Sequence, residues 1–185
     1  MSAADQRKLA HDLNNLLAVI INTAAFLKDE VEGDEAREDV EAISNAARRA
    51  AELVRERLGP FAPSEEPAPP APEKGHGTVL VVDDEPGVLQ LSRRVLEEAG
   101  YVVLTATTFA EAGDRGAQRP IDLLLTDLTL PDGSGKELAD WLMTVQPDAR
   151  VLFMSGDVAA AGELPMILKP FGVDELLGRV GQALA

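Results

Sequence analysis

The sequence predicts an α/β protein, a five-stranded parallel doubly wound sheet preceded by an all-α helical hairpin. Three observations carry that expectation. From residue 78 onward, short apolar runs without polar alternation, such as Val79-Leu80-Val81-Val82 and Leu123-Leu124-Leu125, alternate with amphipathic stretches, as in strands covered on both faces. Before residue 60, apolar positions recur at steps of three and four through two successive stretches. Between the two patterns, Pro60, Pro63, Pro67, Pro69, Pro70 and Pro72 mark a segment too poor in large apolar groups to offset its ordering entropy.

The first helical series is Leu9, Leu13, Leu16, Ile20 and Leu27, with Thr23 filling one position of a bundle-like seam. Glu32-Gly33-Asp34 reads as a turn. Ala36, Val40, Ile43, Ala47, Ala50 and Val54 then repeat the spacing up to Gly59 and Pro60, which stop the helix. Residues 1–59 thus form a hairpin. Two helices cover only one stripe of each other, so pairing of two hairpins into a four-helix bundle is expected, giving a homodimer. Residues 60–77 form the linker, and residues 78–185 the α/β domain. Strands are expected at Thr78 to Val82, Tyr101 to Ala106, Ile121 to Thr126, Arg150 to Ser155 and Met166 to Leu168. Helices are expected around Val88, Leu91, Val95 and Leu96, then at Phe109 to Gln118, Leu138 to Val145 and Val173 to Leu184.

Composition narrows the function. A net charge of −15, without a basic cluster larger than a pair, argues against binding the phosphate backbone of nucleic acid. No apolar run is long enough to span a membrane, and His11, Asp12, Asn14 and Asn15 interrupt the N-terminus too early for a signal segment. A cytoplasmic location is expected. The absence of cysteine excludes disulfides and thiol catalysis.

Ligand chemistry in an open parallel sheet lies beyond the carboxyl ends of its strands. There the sequence sets Asp83 and Asp84 after the first strand, Asp127 after the third, Ser155 after the fourth and Lys169 after the fifth. Three converging carboxylates need a counter-ion, and their oxygens suit a hard divalent cation such as Mg²⁺. Asp127 could attack phosphorus to form an acyl phosphate, with Lys169 and the metal neutralising phosphoryl oxygens and Ser155 donating to another.

The runs Val81-Val82-Asp83-Asp84-Glu85, Leu125-Thr126-Asp127-Leu128-Thr129-Leu130-Pro131-Asp132-Gly133-Ser134-Gly135, Met154-Ser155-Gly156 and Leu168-Lys169-Pro170-Phe171 resemble the receiver domain of two-component response regulators. The resemblance covers residues 78–185 and implies a flavodoxin-like fold. It implies Asp127 as phosphoacceptor, Asp84 as a direct metal ligand, Asp83 as a mostly water-mediated one and the Thr129 carbonyl as a further ligand. Ser155 is then the switch hydroxyl and Lys169 the phosphate partner. Haloacid-dehalogenase-like phosphatases use similar groups, but there the nucleophile follows the first strand and the acidic pair comes late. Two features depart from the receiver pattern. Only 14 positions separate Ser155 from Lys169, so the fourth helix is expected to be short or absent, and Met166 stands where receivers usually carry Tyr or Phe.

His11 opens the run His11-Asp12-Leu13-Asn14-Asn15. On the seam register above, His11 and Asn15 project away from the core, one turn apart. Asp12 can accept the proton of one ring nitrogen and leave the other nucleophilic, while Asn15 can orient a water or a phosphoryl oxygen. Residues 5–58 resemble the dimerisation and phosphoacceptor hairpin of sensor histidine kinases, with the His-Asp-x-x-Asn form of its box. The resemblance implies that His11 is phosphorylated. No Asn-rich box or Asp-x-Gly-x-Gly motif follows Gly59, so the chain is not expected to phosphorylate itself from ATP. His76, between two glycines, reads as solvated linker. The expected function is a phosphorelay between Asp127, His11 and a partner, either a sensor histidine kinase or another response regulator. The alternative is a dimeric receiver switch or phosphate sink whose hairpin only dimerises or docks on a kinase.

Overall fold

The computed structural model describes residues 3–58, 75–156 and 164–185. Helices α1 (Ala3–Glu30) and α2 (Asp34–Leu58) form the hairpin. Gly33 makes the reversal between them at φ 98°, a conformation that costs glycine nothing sterically. Lys28 in the last turn of α1, and Asp34 and Glu35 in the first turn of α2, complement the two helix dipoles. Leu17, Ile21, Ala47 and Ala51 make the small apolar core between the helices.

In the single chain the apolar seam of α1 is left open while other residues of the helix are buried. Leu9, Leu16, Ile20 and Leu27 are exposed, as is Ile43 of α2, whereas Ala10, Asn14, Asn15, Ala18, Asn22 and Ala24 are buried. Asn15, expected to project to solvent, is 5% exposed. The physical reason is that α1 is shared between two neighbours. It packs on α2 and also lies against the α/β domain, and small or amide-bearing residues permit close approach on both sides. The long aliphatic side chains remain on the third side. The side chain of His11 lies outside the described residues.

The α/β domain runs β1 (Thr78–Val82), α3 (Pro86–Glu98), β2 (Val102–Ala106), α4 (Phe109–Gln118), β3 (Leu123–Asp127), β4 (Thr129–Leu130), β5 (Gly133–Ser134), α5 (Gly135–Val145), β6 (Arg150–Ser155), β7 (Met166–Leu168) and α6 (Val173–Leu184). β2 and β3 begin slightly later than expected, and α5 begins earlier, at Gly135. The short antiparallel ladder β4–β5 was not legible in the sequence. The expected short fourth helix falls at residues 157–163, outside the described residues, as do most of the linker positions.

The main sheet is parallel throughout, in the order β2-β1-β3-β6-β7. Its central strands are buried on both faces, which is why they lack alternation. Val79, Val81, Leu123 and Leu125 meet α3 and α6 through Val88, Val95, Leu176 and Val180. Leu80, Val82 and Leu124 meet α4 and α5 through Ala112, Leu138 and Leu142. Chain direction away from β1 reverses between β1 and β3, so the crevice of the fold opens where Asp83 and Asp127 end those two strands.

Local caps fix the loops around that crevice. Ser134 and Glu137 form a reciprocal capping box on α5. Thr108 caps α4 by accepting from the Glu111 amide, and the Asp132 carboxylate accepts from the amides of Phe109 and Ala110 at 2.7 and 3.0 Å. Those two bonds hold the Asp132 carboxyl below its ordinary pKa and join the loop after β3 to the start of α4.

The hairpin seats on the α/β domain through α1. Val19 packs against the core shared by α3 and α6. The Asn14 amide donates to the Gly156 carbonyl at 3.3 Å, and the Asn22 amide to the Phe171 carbonyl at 2.8 Å.

Candidate functional site

The carboxyl ends of β1, β3, β6 and β7 bring five predicted residues together. Asp83 is fully buried directly after β1. Its Oδ1 accepts from the Glu85 amide at 3.0 Å, and its Oδ2 takes the Lys169 ammonium at 2.6 Å. Asp127 ends β3 and is also buried. Its Oδ1 accepts from the Thr129 amide at 3.0 Å, and its Oδ2 takes Lys169 at 2.5 Å. Asp84 is exposed, and its carboxylate completes a cluster in which one oxygen from each of the three aspartates lies within 4.8 Å of the others. Ser155 is buried at the end of β6, and its carbonyl accepts from the Lys169 amide at 2.8 Å, which ties the two strand ends together.

Charge governs this site. Three carboxylates face one ammonium, an unbalanced arrangement in a largely buried place. Burial pushes the Asp83 carboxyl up to about 6; Lys169 opposes that rise and Asp127 adds to it. Burial alone would push the Lys169 ammonium down, but Asp83 and Asp127 outweigh it and hold its pKa above the ordinary lysine value. Lys169 is therefore charged at neutral pH and clamps the two buried carboxylates. A second cation is what the remaining negative charge calls for. The donor set of hard oxygens, with an exposed Asp84 at the entrance, fits Mg²⁺.

Two glycines mark close backbone approaches, one at the site and one beneath α1. A Cβ on Gly135 would lie 2.0 Å from the Asp127 carbonyl oxygen, so the start of α5 presses directly on the backbone of the carboxylate at its centre. Gly87, in the first turn of α3, leaves no room for a side chain beneath Val19 of α1. Gly135 lies within the motif that the sequence singles out, but its role is visible only in space. Nothing local marks Gly87, Asn14 or Asn22. Asp12 is exposed on α1, whereas Asn15 is withdrawn from solvent. Met166 is half-buried beside Phe153.

The strand order, with an acidic pair after the first strand, one aspartate after the third, a hydroxyl after the fourth and a lysine after the fifth, defines a phosphoacceptor domain of the two-component kind. The chain belongs to the response regulator receiver domain family, whose model matches residues 79–181. Residues 6–58 match the His Kinase A (phospho-acceptor) domain. The chain is 38% identical over 116 residues to the transcriptional regulatory protein KdpE of Mycobacterium tuberculosis, a match covering 57% of this chain and 50% of KdpE. It is 29% identical over 114 residues to the response regulator receiver protein CpdR of Brucella abortus, covering 57% of this chain and 95% of CpdR. The chain thus spans half the length of KdpE. Among solved structures, the Thermotoga maritima response regulator TrrA in complex with Mg²⁺-BeF aligns with a TM-score of 0.54 at 30% identity, over 58% of this chain and 99% of TrrA. The receiver domain of the hybrid histidine kinase CckA aligns with a TM-score of 0.54 at 32% identity, over 59% of this chain and all of that domain. A receiver joined to a HisKA-type hairpin fits a two-component phosphorelay role. No helix among the described residues is long and apolar enough to cross a membrane.

Proposed function

We propose that the protein accepts a phosphoryl group on Asp127 and exchanges it with His11 or with a partner histidine kinase or response regulator. The observation that carries this reading is the Lys169 clamp on Asp127 and Asp83 at the rim where α1 is seated. Asp83, Asp84, Asp127 and the Thr129 carbonyl would hold Mg²⁺, which supplies positive charge against the phosphoryl oxygens. A carboxylate oxygen of Asp127 attacks phosphorus. The new P–O bond forms as the donor's bond to phosphorus breaks, and the electron pair leaves with the donor. When phosphohistidine is the donor, the pair returns to the ring nitrogen and the imidazole departs neutral. In the reverse direction the unprotonated ring nitrogen of His11 attacks, and Asp12 holds the proton on the other nitrogen. Lys169 turns from the carboxylate pair to a phosphoryl oxygen, and the Ser155 hydroxyl donates to another.

The exposed stripe of Leu9, Leu16, Ile20 and Leu27 on α1, with Ile43 on α2, supports homodimerisation through a four-helix bundle, because apolar side chains of that size in a row seek a second copy. Partners are a histidine kinase or another response regulator, without nucleic acid or membrane, in the cytoplasm. Burial of Asn15 favours a second reading in which the hairpin chiefly docks and Asp127 serves as switch or phosphate sink. Labelling with a small phosphodonor and Mg²⁺ tests the first step: Asp127→Asn should abolish an acid-stable, base-labile phosphate. Exchange of that phosphate into an acid-labile form, blocked by His11→Ala, separates transfer from docking.

A further inference from the structure

We propose that the chain's own hairpin, seated on the receiver through α1, shuts out the hairpin of a phosphorylated kinase. This rests on the reading of Asp127 as phosphoacceptor. Three contacts define the seat. At Gly87 the first turn of α3 presents bare backbone, and a Cβ there would stand 2.6 Å from Val19 Cγ2. The Gly156 carbonyl, one residue past Ser155, accepts from Asn14, and the Phe171 carbonyl, two residues past Lys169, accepts from Asn22. Asn14 and Asn22 are 8 positions apart on one helix, about 12 Å of rise, and each makes its own bond to the receiver, which fixes register.

The two asparagines are buried there, so the helix is seated on carbonyls belonging to the loops that carry the switch hydroxyl and the lysine. Each acceptor and the Gly87 notch take one helix at a time. The kind of partner that fits is set by the occupant, since residues 6–58 are themselves a HisKA-type hairpin. On this proposal a macromolecular donor reaches Asp127 over the loops on which α1 is seated. Asp84 stays exposed with the hairpin seated, leaving a solvent opening for a small donor. Docking therefore discriminates between the two donor classes.

The chain contains no cysteine, so Val19→Cys combined with Gly87→Cys gives a clean lock. A Cβ at position 87 lies 3.5 Å from the Val19 Cβ, within the span a disulfide closes. In the full chain, the oxidised double variant should take phosphate from acetyl phosphate and Mg²⁺ within twofold of the reduced form. With an autophosphorylated histidine kinase selected for labelling the reduced form, its labelling should fall at least tenfold. Val19→Glu, which leaves the receiver surface untouched and places a charge in the contact, should raise kinase labelling severalfold. Equal kinase labelling of locked and reduced forms overturns the proposal, as does failure of the disulfide to form. An intermolecular crosslink on a non-reducing gel overturns the assignment of the occupant to the same chain. Loss of acetyl phosphate labelling in the reduced form instead overturns the phosphoacceptor reading on which the proposal rests.

Discussion

Lys169 bridges Asp83 and Asp127 through a single ammonium, 2.6 Å from one carboxylate and 2.5 Å from the other, with all three side chains essentially removed from solvent. A buried ion pair contributes little net stability when intact, but loss of one partner leaves charge uncompensated.

Lys169→Ala should therefore destabilise the metal-free receiver by about 3 to 5 kcal/mol. Mg²⁺ should recover part of that loss, because the three aspartates remain. Thermal unfolding with and without Mg²⁺ measures this, and a variant that no longer responds to Mg²⁺ would show that Lys169 helps to build the metal site.

Asp83 gives the pH dependence. Its folded pKa of about 6 stands above the ordinary 3.8, so the stability that its protonation contributes is present below about pH 3.8 and lost as pH rises through 6. Bound Mg²⁺ requires the deprotonated carboxylate. The rise in Tm caused by Mg²⁺ should accordingly be larger at pH 8 than at pH 5. A shift that is flat across that range would remove Asp83 from the metal shell.

Gly135→Ala should impair the site without touching a charged group. The added methyl meets a backbone oxygen 2.0 Å away, which cannot rotate aside as a side chain can. A loss of about 1 to 3 kcal/mol is expected from the forced backbone shift, together with slower labelling of Asp127 by acetyl phosphate. Wild-type stability and rate would mean that α5 yields freely at its first turn.

Leu16 and Leu17 separate folding from association. Leu16 is 55% exposed and Leu17 is 9% exposed, in the hairpin core. Leu16→Asp should leave helicity and Tm of dilute protein near wild type while abolishing dimer in sedimentation. Leu17→Ala should cost about 2 to 5 kcal/mol of hairpin stability. Dimers that persist in Leu16→Asp would place the self-association surface elsewhere.

The α/β fold was legible because its central strands are buried on both faces, so Val79 to Val82 and Leu123 to Leu125 announce themselves as unbroken apolar runs. The site was legible for a related reason. Strand ends mark where the crevice opens, and Asp83, Asp84, Asp127, Ser155 and Lys169 all fall there. The β4–β5 ladder escaped because two-residue strands carry no period.

The hairpin was legible as two helices, yet its orientation was not. Periodicity reveals which side chains need burial, and in α1 those are Leu9, Leu16, Ile20 and Leu27. It does not reveal that a helix also buries Asn14, Asn15 and Asn22 when a second domain supplies backbone acceptors. The receiver fold, the hairpin and the placement of Asp83, Asp84, Asp127, Ser155 and Lys169 at strand ends could be read from the residues in order, since each follows from local pattern. The seating of α1 on the receiver could not. Val19 meets Gly87, and Asn14 meets Gly156, contacts between residues far apart in the chain that rest on a missing side chain and on backbone carbonyls, neither of which leaves a periodic trace in the sequence.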